Sequence, residues 1–268
     1  MAVEGKKISA AKVAYETLLE QNAEWQCWIA GAVEFESALK PHVPWNDLDG
    51  WQRQVVGKRL AITAPDPQLL ANSFYVTMVA GFEEYLRTVI REVVFSLNAA
   101  RKKASEVSAA MVKCHVKEAA GLLKRVDSPP DYISINVEDL CRSIGSCVPG
   151  SILVEFSVEA LAHIESPIKM DNFFTRMTEL GFAMSWDVLG GGTELKEALS
   201  LPNKTGSRDV GKVAKSEVER VARYRNRIAH TGGHAADVSP QVMTEDAEIL
   251  RALCSGVDAI VYPKKKAP

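Results

Sequence analysis

The chain has 268 residues, of which 47% are hydrophobic and 25% charged, the make-up of a globular protein with room for one large domain or a core and an accessory unit. No apolar run approaches the roughly 18 residues of a membrane span, and the opening residues lack the apolar centre of a secretory leader, so a cytoplasmic protein with no membrane partner is expected. A net charge of −2 argues against a protein that coats nucleic acid non-specifically.

In chain order the pattern is helical almost throughout. Residues Ser9 to Leu39 run without proline and predict a first helix, which Pro41 and Pro44 end; Trp45 to Leu60 predict a shorter second one. Trp25, Trp28, Trp45 and Trp51 in this region read as core or interface anchors. The longest helix is predicted from Pro67 to Ala99, where Leu70, Phe74, Met78, Phe82, Leu86, Ile90 and Val94 keep a four-residue spacing. A further helix is expected from Ala104 to Arg125, opened by Ser105 and ended before Pro129 and Pro130.

Between Ile133 and Ile168 short helices are expected, with Ile152–Phe156 able to form a strand, and Asp171 to Gly181 reads as a helix capped by Asp171. The stretch from Trp186 to Asp209, with Gly190, Gly191 and Gly192 in a row, reads as a long loop around a short helix. It lacks the Lys-Ser/Thr that would follow in a phosphate loop. Val210 to His230 predicts a helix stopped by Thr231-Gly232-Gly233, and Ser239 to Val261 a last helix with Ser239 as cap and Pro240 in its first turn.

Charge and cysteine patterns add two expectations. From Arg87 to Arg125 there are nine basic residues against three acidic, and from Lys204 to Arg227 eight against three, so two helices could present basic faces. The five cysteines (Cys27, Cys114, Cys141, Cys147, Cys254) are odd in number and scattered, which suits free thiols; no spacing of Cys and His suits a metal, and no metal or other cofactor is expected. His42, His115 and His163 have no evident partners in the sequence, and Ser143, Ser146 and Ser151 lie in no nucleophile elbow.

The helix from Val210 carries the chemistry. With Val218 placed at zero degrees and steps of about 100 degrees, Val221, Ala222, Ile228 and Ala229 fall within about 80 degrees of it. Arg225 falls near the centre of that stripe, with Arg220, Arg223 and Arg227 opposite. A guanidinium among hydrophobes requires a carboxylate, Glu83 or Glu84 on the long helix, or a cleft in which it grips phosphate. Asn226 and His230 are four residues apart on one face, and His230, at the helix end, can cap the helix or carry a proton. Arg225 and His230 are about 140 degrees apart, so one straight helix does not aim both at one phosphate. Either the last turn loosens at the glycines or a second protomer completes the site.

Arg225-Asn226-Arg227-Ile228-Ala229-His230 resembles the R-x(4-6)-H motif of the HEPN superfamily, in its RiboL-PSP-HEPN/MAE-type branch, and Ala80 to Val94 resembles the first core helix of such families. Arg227 to His234 also satisfies the spacing. The resemblance implies an all-α fold: a HEPN-like antiparallel helix bundle over residues 63–262, an additional N-terminal helical segment over 1–62 and a basic tail over 263–268. It further implies a metal-independent endoribonuclease that cuts single-stranded RNA by attack of the 2′-hydroxyl. In that scheme Arg225, Asn226 and His230 are catalytic, Glu83 orients Arg225, and Arg223, Arg227, Arg87 and Arg91 bind RNA. The implied partners are RNA, a second copy in a homodimer with a composite active site, and an antitoxin or anti-phage defence protein. The alternative is a catalytically inactive HEPN-like module that binds nucleotide or RNA or serves dimerisation.

Overall fold

A computed structural model describes residues 9–39, 67–128, 133–148, 150–231 and 238–263, and every regular element among them is helical. The elements are α1 (Ala10–Leu39), α2 (Pro67–Ala99), a 3-10 turn (Ala104–Glu106), α3 (Ala109–Leu123), α4 (Val137–Ser146), α5 (Val158–Ala162), α6 (Met170–Glu179), α7 (Trp186–Leu189), α8 (Thr193–Ala198), α9 (Ser207–Thr231) and α10 (Pro240–Val261). The expected helix over Trp45 to Leu60 lies outside the described residues, as do Trp45, Trp51, His42 and His234.

α2 is the central element. The four-residue stripe from Met78 to Val94 is buried, and so is a second row formed by Tyr75, Val79, Tyr85, Val89 and Val93, because other helices pack on several sides of it. Burying side chains the size of Phe82, Leu86 or Ile90 contributes about 2 kcal/mol each, enough to fix α2 at the centre. α1 runs antiparallel to α2: Tyr15 meets Phe82 and Tyr85, while the Ala11 amide donates to Glu92. α10 runs in the same direction as α2. Tyr75 donates to Asp246, Tyr85 to Asp258 and Tyr262 to Glu92, so the partners advance together along both helices. Ser9 closes the N-terminal end of α1 onto Asp258 through its amide and hydroxyl. Ala11, Tyr15 and Leu19 therefore share the main core with α2 and α10.

A smaller cluster of Ala119, Leu122, Ile133, Leu140 and Ala160 joins α3, α4 and α5. Here the local expectations need three corrections. α3 is opened by Ser108, whose side chain accepts from the Met111 amide, and Ala104 to Glu106 form a separate 3-10 turn. Ile152–Phe156 forms no strand among the described residues: the Asn98 side chain bonds both the amide and the carbonyl of Phe156, and Ser146 does the same for Glu155. Side chains thus satisfy the backbone groups that a neighbouring strand would otherwise pair. The cap residue of α6 is Lys169, and Asp171 lies inside the first turn. Its carboxylate accepts from Lys215 at 2.7 Å and Trp186 at 2.9 Å, tying α6 to α9 and α7.

The region around the three glycines holds two short helices, α7 and α8, where the sequence predicts one within a long loop. Its glycines serve packing. A Cβ on Gly190 would run into the Ser207 carbonyl oxygen, and one on Gly211 would stand 2.6 Å from the Trp186 oxygen. α7 and α9 touch backbone to backbone there, an approach that any larger residue prevents.

Trp25 departs from the core expectation, with 55% of its surface exposed. His115, by contrast, is fully buried and has partners: the Ser157 amide donates to its Nε2 at 3.0 Å, and its Nδ1 lies 3.4 Å from the Cys147 sulfur. Because Nε2 accepts, the proton sits on Nδ1 and points at the sulfur. Burial lowers the pKa of His115 to about 4, which keeps the ring neutral.

Candidate functional site: the C-terminal turns of α9

α9 is a regular helix through Thr231, whose hydroxyl donates to the Arg227 carbonyl at 2.8 Å. The last turns before the glycines are therefore helical, and the expected loosening does not occur within the described residues. Val210, Gly211, Ala214, Val218, Val221 and Ile228 are its buried positions. They centre the buried stripe nearer Val221 than Val218, which accounts for two differences from the wheel. Ala229 is exposed, and Arg220 lies at the border with α10 instead of facing solvent.

Arg225 sits on the buried stripe as its position predicts, with its side chain 32% exposed. Its Nη2 donates to Glu83 at 3.4 Å, and Glu83 is itself buried in the middle of α2. Of the two carboxylates expected to compete for it, Glu84 turns outward to Arg91 at 2.5 Å and to Arg87 at 3.7 Å. Nη1 of Arg225 donates to the Asn226 amide oxygen at 3.1 Å, while its Nε is buried with no hydrogen-bond partner among the described residues.

The result is a polar relay from Glu83 through Arg225 to Asn226. Asn226 and His230 are both exposed and one turn apart on the same helix face. The relay thus carries the guanidinium towards the histidine side of α9 although the two residues point about 140 degrees apart. Arg223 and Arg227 are exposed on that same side. Arg87 and Arg91 lie apart from it on α2, half-buried and held by Glu84.

Beneath the motif lies a network that the sequence did not suggest. Asp246 is fully buried and accepts from the Tyr75 hydroxyl at 2.7 Å and from two nitrogens of Arg220. Arg220 also donates to Glu217 at 2.7 Å. Burial pushes the Asp246 carboxyl above the usual carboxylate range, while the bonds from Arg220 and Tyr75 pull the other way. The signal was available: Asp246 falls on the same helical spacing as Met243, Leu250, Leu253 and Val257, the anomaly that singled out Arg225. Among the described residues no group of three or more His, Cys, Asp or Glu side chains could hold a metal ion, and no helix is long and apolar enough to cross a membrane.

An all-helical domain that presents Arg-Asn-x-x-x-His from the end of the helix before its last defines a recognisable class. The chain matches the RiboL-PSP-HEPN family model over residues 57–262, and it belongs to that family. Membership points to a ribonuclease-like or nucleotide-binding role. No curated protein and no solved structure matches the chain.

Proposed function

We propose that this protein is an endoribonuclease that cuts single-stranded RNA without a metal. The observation that carries the reading is the relay from Glu83 through Arg225 to Asn226, which ends on the face that exposes His230. In the reaction, His230 takes the proton of a 2′-hydroxyl and the freed oxygen attacks the adjacent phosphorus. The bond to the 5′-oxygen breaks, and that oxygen takes up a proton as it leaves. The products are a 2′,3′-cyclic phosphate and a 5′-hydroxyl. Arg225 stabilises the charge that builds on the phosphate, held at its post by Glu83, and Asn226 orients phosphate or ribose.

A homodimer suits this scheme. Arg223, Asn226, Arg227 and His230 form an open face, and a symmetric partner placed against it would bring two His230 imidazoles to one cleft, one to accept a proton and one to donate. Arg223 and Arg227 then lie where the flanking strand passes, and Arg87 and Arg91, neutralised in part by Glu84, add less. A toxin or anti-phage effector held by a partner protein is the biological setting that we infer for such an activity.

The test is cleavage of single-stranded RNA in EDTA by the full chain. His230→Ala should slow cutting by about 100-fold or more, the range that general acid–base catalysis contributes, and Arg225→Ala should slow it comparably. Cutting undiminished in His230→Ala would remove the mechanism, and RNA bound but uncut by the parent protein would leave a binding module.

A further inference from the structure

Tyr224, the residue before Arg225, is half-buried, and its ring is fixed from several sides. The Tyr75 ring lies 6.2 Å away at an inclination of 56°, and the guanidiniums of Arg220 and Arg227 stand over the Tyr224 ring at 6.0 and 5.1 Å. Two of these neighbours are themselves anchored, because Tyr75 and Arg220 both donate to the buried Asp246. The ring is therefore a stationary support.

Arg227 is the exposed member of this stack. Arg87, Arg91 and Arg220 each reach a carboxylate, whereas the side-chain contact of Arg227 among the described residues is the Tyr224 ring. A ring attracts a cation without neutralising it. A guanidinium is also flat, and one whose central carbon stands over a tyrosine ring can offer its exposed side to a second π-system. On α9, Arg227 lies three residues before His230 and about 60 degrees from it, so the two side chains leave the helix on adjoining sides.

We propose that Arg227, carried on Tyr224, is a stacking platform for an unpaired nucleobase of the bound RNA beside the nucleotide that His230 handles. The proposal rests on the ribonuclease reading and deepens it by naming what the enzyme selects. A base inside an A-form duplex cannot be reached this way, whereas one in a single strand or loop can. Tyr224, Tyr75, Asp246 and Arg220 are positioning residues that hold the platform.

The experiment measures binding by fluorescence anisotropy, with the full chain carrying His230→Ala so that the probe stays intact. The probes are a short single-stranded RNA and the same strand with a central run of abasic nucleotides. Arg227→Lys keeps the charge and removes the plane, and Tyr224→Leu removes the support. Each should weaken binding of the intact strand by about 5- to 100-fold, the range one stacked base contributes. Tyr224→Phe should restore parental binding, and the losses should vanish on the abasic strand. Equal losses on both strands would overturn the platform in favour of simple charge attraction, as would full binding by Arg227→Lys. If the parent chain cleaves RNA while these variants bind normally, the platform falls and the nuclease stands; if the chain neither binds nor cuts RNA, both fall.

Discussion

Asp246 shows how much one side chain can hold in this protein. It is a carboxylate with no exposed surface, and it survives burial because Tyr75 and Arg220 both donate to it. Asp246→Ala would leave the fully buried Tyr75 hydroxyl without its acceptor and the half-buried Arg220 with Glu217 alone, a change that costs about 1–3 kcal/mol. Urea denaturation should show that loss, and a midpoint shift equivalent to less than about 1 kcal/mol would mean that water satisfies Arg220. His115 makes a second residue-scale prediction. Its folded pKa, about 4, is below the unfolded value of 6.5, so the unfolded chain binds the extra proton first as pH falls. The neutral imidazole's contribution is complete above pH 6.5 and is lost progressively between 6.5 and 4. Between pH 8 and pH 5 it should cost about 2 kcal/mol. His115→Gln should lack that increment of slope when urea midpoints are compared across pH; an identical slope in both proteins would contradict the assignment.

At the scale of elements, glycines distinguish packing from chance. Gly211→Ala sets a methyl group against the Trp186 carbonyl and must push α7 off α9, with an expected loss of about 1–3 kcal/mol. Gly121, within α3, has open space where a Cβ would go, and Gly121→Ala should instead stabilise by about 0.5–1 kcal/mol. Thermal melts of the two variants should move in opposite directions; parallel shifts would mean that the α7–α9 contact is looser than described. The same contrast explains what was legible in advance. α2 and α10 follow from apolar spacing together with clear terminal signals, Ser239 capping α10 through the Val242 amide. The segment Ile152–Phe156 and the glycine-rich stretch were not legible, because both depend on distant partners: Asn98 and Lys102 for the first, Ser207 and Gly211 for the second. Arg225 is legible from its misplaced charge, and its partner only as far as Glu83 or Glu84; the turn of Glu84 toward Arg91 and Arg87 leaves Glu83. Arg220 was placed on the wrong side, since a wheel built on one helix cannot know where α10 packs.

For the molecule as a whole, α1, α2, α9 and α10 form one hydrophobic body in which polar pairs fix the register of each helix, and the motif is carried at its surface. The side bearing Arg223, Asn226, Arg227 and His230 is exposed, and on the proposed function it is where a substrate strand and a second copy of the chain would meet. The most direct measurement is the end chemistry of the cut RNA. A single-stranded RNA incubated with the full chain in EDTA should yield 2′,3′-cyclic phosphate and 5′-hydroxyl ends, and His230→Ala should form them more slowly by about 100-fold or more. A strand with 2′-deoxyribose throughout should stay whole. Cleavage of that deoxy strand, or 3′-hydroxyl and 5′-phosphate ends on the RNA, would contradict the account, because the attacking group would then not be the neighbouring 2′-oxygen.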